Sequence, residues 1–230
     1  MISSNLKDIR QKIVATATQC GRDPAAIRLV AVSKKFPTAH IREAINAGQL
    51  LFGENYIQEA AQKKQELGDL ASFHFIGHLQ SNKAKTAVQI FQMIETVDRF
   101  KLAAALDKEL KYQDRTMDVL VQVNIGRESQ KSGVLPQNTE QLLQQLRPLS
   151  NLKVRGLMTI PPYSDNPEHT RPHFKALALL AAEMKKKNYF FDNAHIELSM
   201  GMSSDYLIAI EEGATLVRIG TALFGQRPVQ

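Results

Sequence analysis

Two adjacent amines, Lys34 and Lys35, follow directly on the apolar run LVAV (29–32) and Ser33. Four apolar residues, two of them β-branched, read as a strand buried on both faces. The lysines therefore stand where the chain leaves a core. An amine at that position is either a solvated charge at a strand end or a nucleophile turned into a site at the mouth of a sheet or barrel. Attack on a carbonyl needs the neutral amine, which a neighbouring cation or partial burial favours. Far along the chain, LSMGMSSD (198–205) and VRIGT (217–221) gather small and hydroxyl-bearing residues: Ser199, Gly201, Ser203, Ser204, Gly220 and Thr221. Glycines let backbone N–H groups approach an anion, hydroxyls donate to it, and a following helix N-terminus adds positive potential. Taken singly, each group is also consistent with plain turn chemistry.

Positioning these groups requires elements that converge. Eight strand-like segments run along the chain: IRLVAV (27–32), QLLF (49–52), FHFI (73–76), FQMIETV (91–97), MDVLVQVNI (117–125), LKVRGLM (152–158), HIELS (195–199) and TLVRIG (215–220). Helix signals alternate with them. Thr38 is placed to cap a helix carrying Ile41, Ala44 and Ile45, with Gly48 as its stop; Asp98 to cap one carrying Leu102, Leu106 and Leu110; Asn138 and Gln141 form a capping box. A long helix is expected around 168–187, and Ser203 or Ser204 opens one ended by Gly213. Strands alternating with helices imply parallel pairing and right-handed crossovers. Closing eight of them gives an α/β fold, a single (β/α)8 barrel. Residues 3–20 carry Leu6, Ile9, Ile13 and Ala17 on one helical stripe. Only Thr221 to Gln230 follow the eighth strand, too few for a covering helix, so the N-terminal helix (1–20) is expected to complete the outer ring around a barrel spanning 27–225, all within one domain, 1–230.

In such a barrel chemistry sits at the C-terminal strand ends. Those ends carry Lys34, then Glu54 and Asn55, then His78, Asn124, Met158 and Thr159, and finally the small-residue groups with Arg218. Anion cradles after the last two strands are common in this architecture, and Lys34 projects from the same rim. A phosphate-bearing aldehyde held there would condense with the amine, which points to pyridoxal phosphate on Lys34. His78 reads either as a second acid–base group or as a structural histidine. Met93, Met117, Phe73 and Phe75 read as packing.

Composition limits the other classes. The 230-residue chain is 43% apolar with a formal charge of +6, ordinary for a globular α/β barrel. Its cations are scattered: Lys63 with Lys64, Lys83 with Lys85, and Lys185 to Lys187 each read as a solvated helix face, with no aromatic-flanked basic stripe for nucleic acid. Cys20 is the only cysteine, so no disulfide forms within the chain and no cysteine-built metal site exists. Asp107, Asp114, His169, His173 and His195 show no metal-ligand spacing. Without a signal-like or membrane-length apolar run, the expected setting is the cytoplasm, with no membrane contact.

The segments AVSKKFP, FGENYIQEA, FHFIGHLQSNK, GLMTI, LSMGMSSDY and VRIGTALFG, in this order over nearly the whole chain, resemble the pyridoxal phosphate homeostasis protein family (YggS/PROSC type). That family is similar to the N-terminal barrel of alanine racemase. The resemblance implies pyridoxal 5′-phosphate as cofactor, joined to Lys34 as a Schiff base, with Lys35 facing solvent. It places Ser199, Gly201, Ser203, Gly220 and Thr221 around the phosphate, Arg218 opposite the pyridine nitrogen, and Asn55 and Met158 along the ring. It implies a monomeric, non-catalytic carrier that limits free aldehyde and delivers the cofactor to apoenzymes or amino acids, without the second domain that completes racemase-like sites. A weak amino-acid racemase and a cofactor-free phosphate-binding barrel are the alternatives.

Overall fold

The computed structural model describes residues 1–226. Eight parallel strands close into a barrel in sequential order, β1 (Arg28–Val32), β2 (Leu51–Glu54), β3 (Ser72–Phe75), β4 (Met93–Val97), β5 (Met117–Gln122), β6 (Leu152–Met158), β7 (Glu197–Ser199) and β8 (Leu216–Ile219). Closure is made by β1 against β8, with Arg28 to Ala31 in register with Leu216 to Ile219. The crossovers carry α2 (Thr38–Asn46), α3 (Ile57–Leu67), α4 (Ala84–Ile90), α5 (Phe100–Tyr112), α6 (Thr139–Leu146), α7 (Arg171–Lys186) and α8 (Tyr206–Glu211), and a short α9 (Thr221–Phe224) follows β8. Ahead of them all, α1 (Ile2–Gln19) buries Leu6, Ile9, Ile13 and Ala17 against α2, α8 and α9. It therefore occupies the position in the outer ring that α9 is too short to cover. Polar ties fix it there: Asn5 Nδ2 donates to Leu223 O at 3.0 Å, and the Ile2 N–H donates to Glu43 Oε1 at 3.1 Å.

Successive side chains on a strand face opposite ways, and this alternation builds two separate cores. Val30, Met93, Leu120, Met158 and Leu216 form a small apolar cluster inside the barrel. Leu29, Ala31, Phe52, Phe73, Phe75 and their neighbours belong to the larger cluster between strands and helices. Met93, Met117, Phe73 and Phe75 are all buried packing residues. At β6 the chain passes so close to β7 that a Cβ on Gly156 would lie 1.9 Å from the Glu197 carbonyl oxygen.

Several boundaries differ from the sequence reading, each for a local reason. β5 stops at Gln122; Val123 still donates its N–H to Met158 O on β6 and also forms an isolated bridge with Val134 in the loop that follows. Thr38 is the first residue of α2 rather than its cap, with Pro37 holding the extended capping conformation. Arg99, not Asp98, precedes α5. Asn138 does precede α6, but a 3-10 turn (Pro136–Asn138) already gives it near-helical backbone, and its side chain makes no capping bond. Asp205 rather than Ser203 or Ser204 precedes α8, while Gly48 and Gly213 take the positive φ expected just past α2 and α8. Residues 227–230, part of the expected C-terminal stretch, lie outside the described residues. Among the described residues no helix is long and apolar enough to cross a membrane, and no group of three or more potential ligands is placed to hold a metal.

If α1 is an integral part of the ring, Leu6→Ala should lower unfolding free energy by about 2–5 kcal/mol, read from the urea midpoint. An unchanged midpoint would show that α1 only lies on the surface.

Candidate functional site

One step above the apolar layer, the inward positions turn polar. Two residues beyond Met93 on β4 stands Glu95, and two beyond Leu216 on β8 stands Arg218. Both are enclosed, at 0% and 3% exposure. Ser199 at the end of β7 joins them: its hydroxyl donates to Glu95 Oε2 at 2.5 Å and accepts from Arg218 Nη1 at 2.6 Å. Arg218 Nη2 donates to the Thr159 carbonyl at 2.8 Å. On the other side, His74 Nδ1 lies 2.7 Å from Glu95 Oε1 and donates to it, since an ionised carboxylate only accepts. Burial alone would push the Glu95 carboxyl up. The hydrogen bond and charge of His74, the charge of Arg218 and the Ser199 hydroxyl outweigh that and hold it below its ordinary value. Burial lowers the Arg218 guanidinium from its usual value, while the charges of Glu95 and Asp205 oppose the shift; guanidinium remains cationic in proteins.

A second polar cluster lies at the end of β1. Ser33 is enclosed, and its hydroxyl donates to Glu54 Oε1 at 2.6 Å. Lys63, on α3, is 4% exposed. Its Nζ donates to the Ser33 carbonyl, to Glu54 Oε1 and to Glu59 Oε1, each at 2.7 Å. Glu59 Oε1 also accepts the Lys35 N–H at 2.6 Å. Burial pushes the Glu54 carboxyl up, and the charge of Lys63 with its hydrogen bond and that of Ser33 oppose this. Lys35 sits at φ 64°, a left-handed conformation costing an L-residue roughly 1–2 kcal/mol. Its side chain is exposed, whereas that of Lys34 is half-buried.

Above these clusters opens a cavity of about 370 Å³, within the ~300–1,000 Å³ range of small-molecule sites. Lys34, Asn55 and Arg218 line it together with Ser203, Ser204, Gly220 and Thr221. Val32, Ile76, Ile160 and Met202 supply apolar wall, and Tyr163 stands at the rim. The Ser203 hydroxyl accepts the Gly220 and Ala222 N–H groups, both at 3.3 Å, which brings the loop after β7 and the start of α9 together. Asp205 Oδ1 closes the same loop by accepting the Met202 N–H at 2.6 Å. Asn55 Oδ1 is buried without a hydrogen-bond partner, a costly condition for an amide oxygen. A larger groove, about 560 Å³, runs between α1 and Ala47; only outer helical segments form it, and no strand end reaches it.

The structure brings six of the expected site residues together in one cavity: Lys34, Asn55, Ser203, Arg218, Gly220 and Thr221. Three lie elsewhere. Met158 belongs to the apolar cluster inside the barrel, in register with Ser199 across β6 and β7. Ser199 is bonded to Arg218 and Glu95 and does not line the cavity. Gly201, at φ 90°, packs against α8 so closely that a Cβ would lie 2.5 Å from that of Ala209, and its carbonyl accepts the Arg218 N–H at 3.0 Å. His78 is exposed and paired with Ser132 at 3.1 Å, outside the cavity lining. Lys63 is the clear departure from the sequence reading, enclosed where a solvated face was expected. The Glu59–Lys63 spacing of four residues was its one sequence signal. His74 and Glu95 carried none beyond their inward parity.

A half-buried amine, small-residue turns rich in N–H and hydroxyl donors, a buried guanidinium and an amide oxygen lacking a donor suit an anionic, polar, carbonyl-bearing ligand. They fit a phosphorylated aldehyde well. Comparison with known proteins agrees. Residues 4–228 match the family described as alanine racemase, N-terminal domain. The chain is 43% identical over 223 residues to the pyridoxal phosphate homeostasis protein of Aquifex aeolicus, covering 96% of each chain. It is 42% identical over 231 residues to the protein of that name from Escherichia coli K12, covering 98% of this chain and 97% of the other. Among solved structures, PipY of Synechococcus elongatus PCC7942 with PLP bound superposes with TM-score 0.83 at 38% identity, covering 98% of this chain and 100% of PipY.

The Glu95 arrangement predicts a particular acid response. A carboxyl held below its unfolded value stabilises the fold above about pH 4.3, and that contribution is lost as pH falls through the lower folded value. Glu95→Gln should abolish it and leave Arg218 short of its counter-charge, costing about 3–5 kcal/mol near neutrality. The gap between wild type and variant in urea titrations should narrow as pH drops below about 4; a pH-independent gap would contradict it.

Proposed function

This chain belongs to the alanine racemase N-terminal domain family, among its pyridoxal phosphate homeostasis proteins, and from that premise we propose that it holds pyridoxal 5′-phosphate on Lys34 and serves intracellular homeostasis and delivery of that cofactor. The observation that carries the reading is the meeting of Lys34, the Ser203–Gly220–Thr221 turn cluster and Arg218 in one cavity. When bound, the cofactor supplies an aldehyde whose carbon takes the Lys34 amine, with loss of water, as a reversible Schiff base. Ser203, Gly220 and Thr221 bind the phosphate, and Asn55, whose amide oxygen lacks a donor, orients the ring.

Ser199 and Gly201 belong to this reading as supports: the first fixes the Arg218 guanidinium, the second brings its backbone N–H into place. Met158 supplies apolar packing beside Ser199. By the family resemblance Arg218 faces the ring nitrogen. A guanidinium is too weak an acid to transfer a proton to the ring, so the ring stays a weak electron sink and retention is favoured over carbanion chemistry.

The cavity lining also favours a carrier. Besides Lys34 and Arg218, its titratable side chain is Tyr163, whose hydroxyl donates to Asp165 at 2.9 Å. That hydrogen bond and the aspartate charge push the phenol up, which makes a phenolate base harder to form. The reading takes the protein to be one domain, monomeric and cytoplasmic, passing the cofactor to apoenzymes or amino acids.

Borohydride reduction of the loaded protein, followed by peptide mapping, should place the label on Lys34 and not on Lys35. Lys34→Ala should lose the near-ultraviolet-to-violet absorbance yet keep measurable phosphate-ester affinity. Protein that stays colourless at saturating cofactor would refute the reading. Arg218→Ala and Ser199→Ala should both release the cofactor faster, roughly tenfold or more for Arg218→Ala, measured by transfer to a trapping apoenzyme. Loss of α-deuterium from L-amino acids by wild type, above the Lys34→Ala background and sustained over many turnovers, would replace the carrier with a weak racemase.

A further inference from the structure

The Schiff-base lysine is held on both sides of its own backbone by one buried ion cluster that touches no part of the cavity. Ser33, immediately before Lys34, gives its carbonyl to Lys63 at 2.7 Å and its hydroxyl to Glu54 at 2.6 Å. Lys35, immediately after, gives its N–H to Glu59 at 2.6 Å. Lys63 ties the two sides together, because its ammonium spends all three donors on Ser33, Glu54 and Glu59. The turn between them is left-handed, with Lys35 at φ 64°, a less common conformation for an L-residue that the bond to Glu59 helps hold. Glu54 Oε2 is buried without a partner, so the cluster is not arranged for its own best pairing. None of Ser33, Glu54, Glu59 or Lys63 lines the cavity.

We propose that Lys63, with Glu54 and Glu59, is the positioning device of Lys34. It fixes the left-handed Ser33–Lys35 turn so that the Lys34 amine is presented to the cavity at the aldehyde's place. The inference rests on the reading of Lys34 as the cofactor-bearing residue. Its consequence is specific. The cluster acts on the amine and not on the phosphate cradle, which lies on the loops after β7 and β8. Loosening it therefore weakens capture of an aldehyde and spares capture of the same molecule without one.

Two ligands separate these effects: pyridoxal 5′-phosphate, which forms the imine, and pyridoxine 5′-phosphate, whose alcohol at the same position does not. Two variants are used. Glu54→Gln with Lys63→Met removes the buried charges together, so neither is stranded. Glu59→Ala removes the acceptor of the Lys35 N–H at a partly exposed position and stands as the test if the double variant fails to fold. Dissociation constants are measured by absorbance and calorimetry, with circular dichroism as the fold control. For each folded variant the affinity for pyridoxal 5′-phosphate should fall roughly tenfold or more, with slower rise of the imine absorbance, while that for pyridoxine 5′-phosphate stays within about twofold. Equal losses for both ligands would show a general effect on the site and overturn the inference. Unchanged pyridoxal 5′-phosphate affinity would overturn it as well. Failure of the underlying reading is seen in wild type itself, as absence of imine absorbance, and takes the inference with it.

Discussion

A guanidinium enclosed in the middle of a barrel is the constraint on which the upper half of this structure depends. Arg218 is almost wholly enclosed, and an unpaired buried charge is not tolerated. Its answer is a relay across the lumen, from His74 on β3 through Glu95 on β4 and Ser199 on β7 to Arg218 on β8. That relay ties together strands far apart in sequence. It also explains why the inside of the barrel is divided between apolar and polar groups. The apolar cluster of Val30, Met93, Leu120, Met158 and Leu216 fills lumen next to the relay, and the polar layer forms a rigid floor for the cavity. Such a pair contributes little net stability compared with apolar residues of the same shape. Its use lies in presenting a fixed positive charge to the cavity from beneath.

Much of this was legible in the sequence because it follows from periodicity. Eight apolar segments alternating with helical stripes admit few closed arrangements, and the residues after each segment had to meet at one rim. What the sequence left open was contact against support. LSMGMSSD reads as a row of equivalent small residues. In the fold, Ser199 is bonded to Arg218 and Glu95, Gly201 backs onto α8, and Ser203 reaches the cavity. Strand parity places Ser199 inward but does not say how deep it lies, because depth depends on the stagger between neighbouring strands. Caps were less legible for a related reason: Asn138 carries a good capping side chain, yet a preceding 3-10 turn removes the geometry in which it would act.

Lys63 was illegible for a different reason. Beside Lys64 on an otherwise polar helix it reads as solvated, and Lys64 in fact pairs outward with Asp69. Burial of Lys63 follows from α3 lying over the end of β1, where the carboxylates of Glu54 and Glu59 and the carbonyl of Ser33 are all within 2.7 Å. Only Glu59 is a local partner at i,i+4; no local pattern encodes Ser33 and Glu54 arriving from two other segments.

The three lysines around this turn show how environment assigns chemistry to one residue type. All carry the same amine. Lys63 uses each of its ammonium hydrogens on an oxygen, and a nitrogen so committed offers no lone pair to a carbonyl. Lys35, at positive φ, is exposed to solvent and does not line the cavity. Lys34, between them, lines the cavity beside a phosphate-suited turn and a fixed guanidinium. Its place in the cavity thus comes less from the lysine than from the groups that occupy or turn away its neighbours. The same reasoning explains why two adjacent lysines in a sequence need not be interchangeable. The backbone conformation separating them puts one amine in the site and the other in water.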